Sequence, residues 1–360
     1  MARNAGLDCM RGAAVLFVLG NHIGIRMPLS HTALVDIFPK WFLSGLNYNG
    51  TEAVYVFFVL SGFLITSRLR EKYGSLDALN PGQFIADRAR RILPCLLFLL
   101  IILLMLNAFR VDNYTFVKTG QTAIGATAAA LGLYFNLWQA QHGWSVASWT
   151  VLWSLSIEEL FYLGFPLICR MGRWVRWVCC GVLVVAGQMM IARSYHDEIW
   201  QDENTLAGMG CIALGVLCAL IAPYLREKRF VFILPLLAVM FMLPDMFFMH
   251  FWWDVLGRLW LNLFVVGTAC LVLFCALKAQ TPLPGLYWLR RIGQLSYEIY
   301  LFHMFVVLSV VHIWNGSTRL SWVLYPAIIL MVWGLGEAIH CGMGVLDSRL
   351  WGRLSSKPGV

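Results

Sequence analysis

The first candidate site consists of an arginine and a histidine in one apolar stretch, residues 7–26. Arg11 and His22 are eleven residues apart. At about 100° per residue, this spacing places both side chains on one face of a helix, about 16 Å apart along its axis. An arginine at the edge of a membrane is suited to bind an anion, and a histidine deeper in the membrane is suited to accept a proton. A histidine hydrogen-bonded between packed helices would produce the same pattern, so both interpretations stay open.

A second candidate site is a pair of arginines in the sequence RARR, residues 88–91. Arg88 and Arg91 are three residues apart and therefore lie on nearly the same face of a helix. Two guanidinium groups in this arrangement can hold phosphates through forked hydrogen bonds. A site for anionic lipid headgroups would have the same sequence, and this alternative also stays open.

Two adjacent carboxylates, Glu158 and Glu159, interrupt the apolar run WSLSIEELFYLGFP at 153–166. Carboxylates inside a membrane are costly and usually functional. Because successive residues of a helix are about 100° apart, we expect only one of the two to face a central site. Their position in the run predicts that they lie near the outer end of the helix. A further polar group, SYEIYLFH, begins the apolar run at 296–307 and contains His303.

The composition identifies the environment of these residues. Of the 360 residues, 60% are hydrophobic and 13% are charged, with a mean hydropathy of +0.71. These values are typical of a polytopic membrane protein. The net charge of +8 is then explained by basic cytoplasmic loops, and no nucleic-acid partner is expected. The ten cysteines have no CxxC spacing, so we expect neither a metal site nor a disulfide framework.

Apolar segments of spanning length recur along the chain, and the segment 120–138 decides the topology. It is long enough to span but rich in Gly, Ala and Thr. If it only dips into the membrane, the later basic clusters fall on the cytoplasmic side together with Arg3, Arg11 and the basic stretch 68–91. These later clusters are 170–176, 226–229, 278–291 and 349–357.

We therefore predict an all-α membrane protein with about ten spanning helices, one re-entrant segment and both termini in the cytoplasm. No internal repeat or long hydrophilic segment is present, which predicts a single membrane domain over 1–360 without an appended soluble domain. The predicted spans are 11–28, 50–67, 92–109, 151–168, 177–192, 205–222, 230–249, 259–277, 296–314 and 322–340.

Five motifs together resemble those of the acyltransferase-3 family, the bacterial integral-membrane acyltransferases that modify sugars. They occur in the same order and extend over essentially the whole chain. The motifs are the arginine and histidine at 11 and 22, FFVLSGFLI at 57–65, RARR at 88–91, WSLSIEELFY at 153–162 and SYEIYLFH at 296–303. Two departures exist, because Leu160 stands where the family usually has Gln, and Met304 and Phe305 replace a step that often contains proline.

The resemblance implies a function for the candidate residues. Arg11, Arg88 and Arg91 would hold the phosphates of a cytoplasmic acyl-CoA, most often acetyl-CoA. His22 would be the catalytic histidine near the middle of the membrane, and Glu158 an essential polar residue of the active cavity. The acceptor would be a glycan or a lipid-linked sugar, no metal would be needed, and the protein would lie in the bacterial cytoplasmic (inner) membrane.

Two other classes of membrane protein fit part of the pattern. A proton-coupled secondary transporter could use His22 and Glu158, but the two halves of the chain show no repeat, and the arginine pair would have no task. A glycan polymerase or flippase would use arginines on the outer side, where the predicted topology places few. The sequence therefore favours a membrane O-acyltransferase, with the transporter as the alternative.

Overall fold

The computed structural model describes residues 4–278, 281 and 284–355, without the side chains of 249–253 and 346–355, and in this part the chain forms helices and no strand. The helices are α1 Ala5–Gly24, α2 Lys40–Asn47, α3 Gly50–Tyr73, α4 Pro81–Ala108, α5 Ala123–Leu131, α6 Phe135–His142, α7 Ala147–Thr150, α8 Leu152–Arg170, α9 Arg173–Ala192, α10 Glu198–Asp202, α11 Thr205–Leu225, α12 Leu234–Leu256, α13 Leu259–Lys278, α14 Tyr287–Gln294, α15 Ser296–Ile313 and α16 Leu324–Ser355.

The predicted all-α membrane fold is confirmed. Nine segments of the described chain are long and apolar enough to cross a membrane, and they include all or most of α3, α4, α8, α9, α11, α12, α13, α15 and α16. The remaining predicted span corresponds to α1, which is not among these nine, although its 20 residues extend about 30 Å. The side chains of the last predicted basic cluster, 349–357, lie outside the described residues.

Local sequence signals start several of these helices. The side chain of Asn4 accepts a hydrogen bond from the Leu7 backbone N–H at 3.0 Å at the start of α1. Asn80 caps α4 in the same way, with Pro81 at the first helical position, where its missing N–H costs nothing. α1 ends at Gly24, four residues earlier than the predicted span, and His22 therefore lies in its last turn.

Small residues bring the central helices into close contact. A Cβ atom added at Gly62 in α3 would lie 1.9 Å from the carbonyl oxygen of Ile212 in α11, and one at Gly215 would lie 2.0 Å from that of Val59. Neither position has room for a side chain, so the two backbones pack directly against each other. This is the packing expected of membrane helices, whose association depends on close van der Waals contact.

The segment predicted to be re-entrant forms a helical hairpin. α5 has 9 residues and α6 has 8, so each extends about 13 Å and neither can span a bilayer. The chain reverses at Leu133, whose φ is 61°. Gln121 closes the base of the hairpin by donating hydrogen bonds to the carbonyls of His142 and Gly143, both at 2.9 Å.

The helices alternate in direction. The starts of α1 and α4 and the ends of α3 and α8 therefore lie at the same face of the bundle. We call this the arginine-rich face and the other the far face. At the arginine-rich face, Arg176 donates to Asp77 at 3.2 Å. At the far face, Arg258 donates to the carbonyl of Ile191 at 3.0 Å. The end of α16 returns to the arginine-rich face, as the predicted topology requires.

Candidate active site

A cavity lies between α1, α3, α4, α8 and α15. Its volume is about 990 Å³, including the part that is open at its mouth. Arg11, Arg88, Arg91 and Glu158 all line it. Four of the five predicted site residues, from three separate helices, therefore face one space.

Arg88 is held by an aromatic ring and a carboxylate. Its guanidinium carbon lies 3.9 Å above the centre of the Tyr162 ring, and its Nη2 lies 3.8 Å from Oε1 of Glu158. The ring and the carboxylate fix the plane of the guanidinium group. Nε of Arg88 is buried and has no hydrogen-bond partner. This N–H group is therefore available to an oxygen atom of a ligand.

Glu158 is held by three neighbours. Its Oε1 accepts hydrogen bonds from Ser61 Oγ at 2.5 Å and from the Tyr162 hydroxyl at 2.6 Å, in addition to the Arg88 contact. The sequence predicted Glu158 near the outer end of its helix, and Glu158 lies six residues after Leu152, where α8 begins. It is at the same time beside Arg88, which lies seven residues after Pro81 at the start of α4.

Glu159 also lines the cavity, so the expectation that only one carboxylate would face the site is wrong. Both side chains reach the cavity although they point about 100° apart around α8. One oxygen of Glu159, Oε1, is buried without a hydrogen-bond partner. It is a second polar atom in this cavity that a ligand could satisfy.

The cavity carries more positive than negative charge. Arg68 joins the three predicted arginines in its lining, against the two glutamates. The sequence interpretation assigned Arg68 to a cytoplasmic loop, but it belongs to α3. It follows Ser61 by seven residues, which places both on one face of that helix. Four arginines around one opening favour an anionic ligand.

Two tyrosines of α15, Tyr297 and Tyr300, also line the cavity. Tyr297 donates to the carbonyl of Ile92 at 3.0 Å. The hydroxyl of Tyr300 lies 2.7 Å from Ser154 Oγ, and its ring packs edge-on against Phe57 with centroids 6.1 Å apart. The sequence singled out this segment but gave no role to its tyrosines.

His22 is not among the residues that line the cavity. Its ring contacts that of His303, with centroids 5.0 Å apart. His303 in turn contacts Tyr300, with ring centroids 6.1 Å apart. His22 is partly exposed, whereas His303 is almost fully buried. The fifth predicted residue thus lies outside the cavity lining and is connected to it through the rings of His303 and Tyr300.

Within the part of the chain that the structure describes, no group of three or more His, Cys, Asp or Glu side chains could hold a metal ion. The polar groups of the cavity are instead arginines, carboxylates and hydroxyls. Arginines bind phosphates, and the carboxylates and hydroxyls can orient them or a polar group of the ligand.

Comparison with known proteins gives the family. The family model described as "Acyltransferase domain", of the acyltransferase-3 family, matches residues 4–336. "Putative O-acetyltransferase SACOL0978" of Staphylococcus aureus (strain COL) is 28% identical over 245 residues, which are 62% of this chain and 36% of that protein. "O-acetyltransferase OatA" of Staphylococcus aureus (strain NCTC 8325 / PS 47) is 30% identical over 172 residues, 45% of this chain and 24% of that protein.

The matched part of the chain corresponds to little more than a third of the first relative's length, and no solved structure matches. The family match includes the whole cavity lining, His22 and His303. The chain therefore belongs to the acyltransferase-3 family.

Proposed function

We propose that this protein is a membrane-embedded O-acetyltransferase that moves an acetyl group from cytoplasmic acetyl-CoA to a sugar hydroxyl of a cell-surface or secreted glycan. The observation that carries the proposal is the cavity at the arginine-rich face, where Arg11, Arg88 and Arg91 line one opening. The names of the two relatives support an acetyl group as the cargo. The protein would act in the bacterial cytoplasmic membrane.

The proposed donor matches the charge of the cavity. Coenzyme A carries several phosphate charges at one end and its thioester at the other. The unpartnered Nε of Arg88 would donate to a phosphate oxygen, with Arg91 and Arg11 on neighbouring walls. Because arginine donates in a planar fork, it is better suited than lysine to this task. The excess positive charge would also attract the anionic donor to the opening.

His22 is the proposed catalytic histidine. It lies on the same helix as Arg11, about 16 Å farther along the axis, which is a length that an extended pantetheine arm can cover. Transfer from a thioester to a hydroxyl needs a group that takes the hydroxyl proton, and a neutral histidine serves this purpose. Glu158 is proposed to act in the cavity by holding Arg88 through their ion pair. The acceptor would approach His22 from the far face, free or attached to a lipid carrier.

The test uses the purified protein in nanodiscs with radiolabelled acetyl-CoA, and it records release of the free thiol and binding of the label. Arg88→Ala and Arg91→Ala are expected to raise the KM for acetyl-CoA at least tenfold, because each removes a charged phosphate contact. His22→Ala is expected to abolish turnover without weakening acetyl-CoA binding.

Matched controls come from residues outside the cavity lining. Arg90 lies between the two cavity arginines but is exposed, and Arg90→Ala should leave the KM within about twofold. His312 is exposed at the end of α15, and His312→Ala should turn over at the wild-type rate. The proposed function is wrong if His22→Ala keeps substantial turnover. It is also wrong if Arg88→Ala and Arg91→Ala have the same KM for acetyl-CoA as the control Arg90→Ala.

A further inference from the structure

The hydrogen bonds of His303 fix the position of its ring proton. Nδ1 of His303 lies 2.8 Å from the carbonyl oxygen of Tyr300 and 3.3 Å from that of Ile299. Carbonyl oxygens only accept hydrogen bonds, so Nδ1 carries the hydrogen. In the neutral ring, the lone pair is then on Nε2.

Nε2 of His303 is a buried acceptor without a partner. It has no hydrogen-bond partner in the structure, and the residue is only 1% exposed. A buried polar atom left unsatisfied costs about 1–3 kcal/mol, and such atoms in native proteins need an explanation. The nearest aromatic neighbour that can donate a hydrogen bond is His22, whose ring centroid is 5.0 Å away at an interplanar angle of 44°.

We propose that His303 is a positioning residue for His22 in the acyl-transfer reaction. When the site is loaded, Nε2 of His303 accepts a hydrogen bond from one ring N–H of His22. The other nitrogen of His22 then presents its lone pair to the acceptor hydroxyl. Catalytic triads use the same arrangement, in which a further group with a fixed hydrogen-bonding role orients the base. Here His22 would be the base and His303 the orienting group. The inference rests on the proposed function of His22.

The rearrangement that the proposal requires is small. The two rings are already in contact, and His22 is only partly buried. Rotation about the last side-chain torsion of histidine has a broad, shallow energy profile. Hydrogen bonds of catalytic groups are often long or poorly aligned without substrate and shorten only in the loaded site.

The proposed step balances in atoms and charge. The acceptor hydroxyl gives its proton to the free nitrogen of His22 as its oxygen bonds to the acyl carbon. The carbon–sulfur bond then breaks, and the leaving thiolate takes the proton from the His22 imidazolium. The products are the ester and the free thiol of coenzyme A. His303 gains and loses no proton, because its Nε2 only stabilises the transient charge on His22.

Two substitutions at His303 separate positioning from a merely structural role. His303→Asn keeps a donor near the position of Nδ1 and can retain the bond to the Tyr300 carbonyl, but it has no atom at the position of Nε2. His303→Gln places an amide oxygen near the position of Nε2 and loses the Nδ1 bond. Positioning predicts that Asn is worse for turnover than Gln, whereas a structural role predicts the opposite order.

The experiment measures thiol release from acetyl-CoA by nanodisc-embedded wild type, both His303 variants, His22→Ala and His22→Ala/His303→Asn. We expect His303→Asn to lower kcat about 100-fold with an unchanged KM for acetyl-CoA, and His303→Gln to lower it less than tenfold. The double variant should be no slower than His22→Ala, because residues that act as a unit are not additive. Melting temperatures of the same samples report the structural effect separately.

The possible failures are distinguishable. If His22→Ala abolishes turnover but His303→Asn turns over like wild type, the inference about His303 is wrong and the proposed function stands. A larger loss of kcat in His303→Gln than in His303→Asn also overturns the inference. If His22→Ala itself turns over normally, both the proposed function and the inference fail.

Discussion

The ion pair between Arg88 and Glu158 makes a quantitative prediction for the cavity. Nη2 and Oε1 are 3.8 Å apart, and the two side chains are 14% and 25% exposed. Coulomb's law with an effective dielectric constant of about 20 gives an attraction of about 4 kcal/mol at this distance. Desolvation of both groups offsets part of it. We therefore expect a coupling free energy of about 2 kcal/mol in a double-mutant cycle.

The cycle consists of Arg88→Met, Glu158→Gln and the double variant. Arg88→Met leaves two carboxylates without their nearest cation and should lower the free energy of unfolding by about 3–5 kcal/mol. Glu158→Gln keeps an oxygen that can accept from Ser61 and Tyr162, so it should cost about 1–2 kcal/mol. With the expected coupling, the double variant should be about as stable as Arg88→Met alone.

The free energy of unfolding is measured by equilibrium denaturation in detergent micelles, followed by tryptophan fluorescence. A parallel cycle with Arg90→Met and Glu158→Gln serves as the control, because Arg90 is exposed and does not line the cavity. Its coupling should stay below about 0.5 kcal/mol. If the coupling free energy of the Arg88 cycle is also below about 0.5 kcal/mol, the contact does not position Arg88. The proposed role of Glu158 then loses its basis.

The same unfolding assay tests four further predictions. Gly62→Ala should lower the free energy of unfolding by more than about 3 kcal/mol, because its Cβ would meet the Ile212 carbonyl oxygen at 1.9 Å. Gly181→Ala, in α9 with no atom within 4 Å of the added Cβ, should stabilise by about 0.5–1 kcal/mol. Asn47→Ala removes three hydrogen bonds and should cost about 2–4 kcal/mol. Arg319→Ala breaks only an exposed ion pair with Asp36 and should change stability by less than about 0.5 kcal/mol.

Helical periodicity and the apolar surroundings were sufficient to predict most of the cavity. Arg88 and Arg91 are three residues apart, so they share a helical face wherever that helix lies in the membrane. Their common orientation could therefore be predicted from the spacing alone. Glu158 could be singled out because a carboxylate in an apolar helix needs a compensating contact. The contact itself, with Arg88, depends on how α4 and α8 pack, and their sequences do not contain that information.

The re-entrant hairpin was predictable for a different reason. Its composition alone is compatible with a spanning helix, and only the distribution of basic clusters across the whole chain excluded that interpretation. The turn at Leu133, with a φ of 61°, is not marked by a glycine or asparagine at that position. Tertiary contacts, such as the bond from the Phe135 N–H to Ser156 Oγ at 3.2 Å, determine where the chain reverses.

The separation of His22 from the cavity could not be predicted from the spacing of Arg11 and His22. That spacing fixes only their common helical face and their distance along α1. The surroundings of His22 come from other helices: its ring contacts that of His303 in α15, which in turn contacts Tyr300, and Tyr300 bonds to Ser154 in α8. The sequence of α1 contains none of these contacts. Its spacing could therefore suggest that Arg11 and His22 act together, but it could not show that only Arg11 lines the cavity.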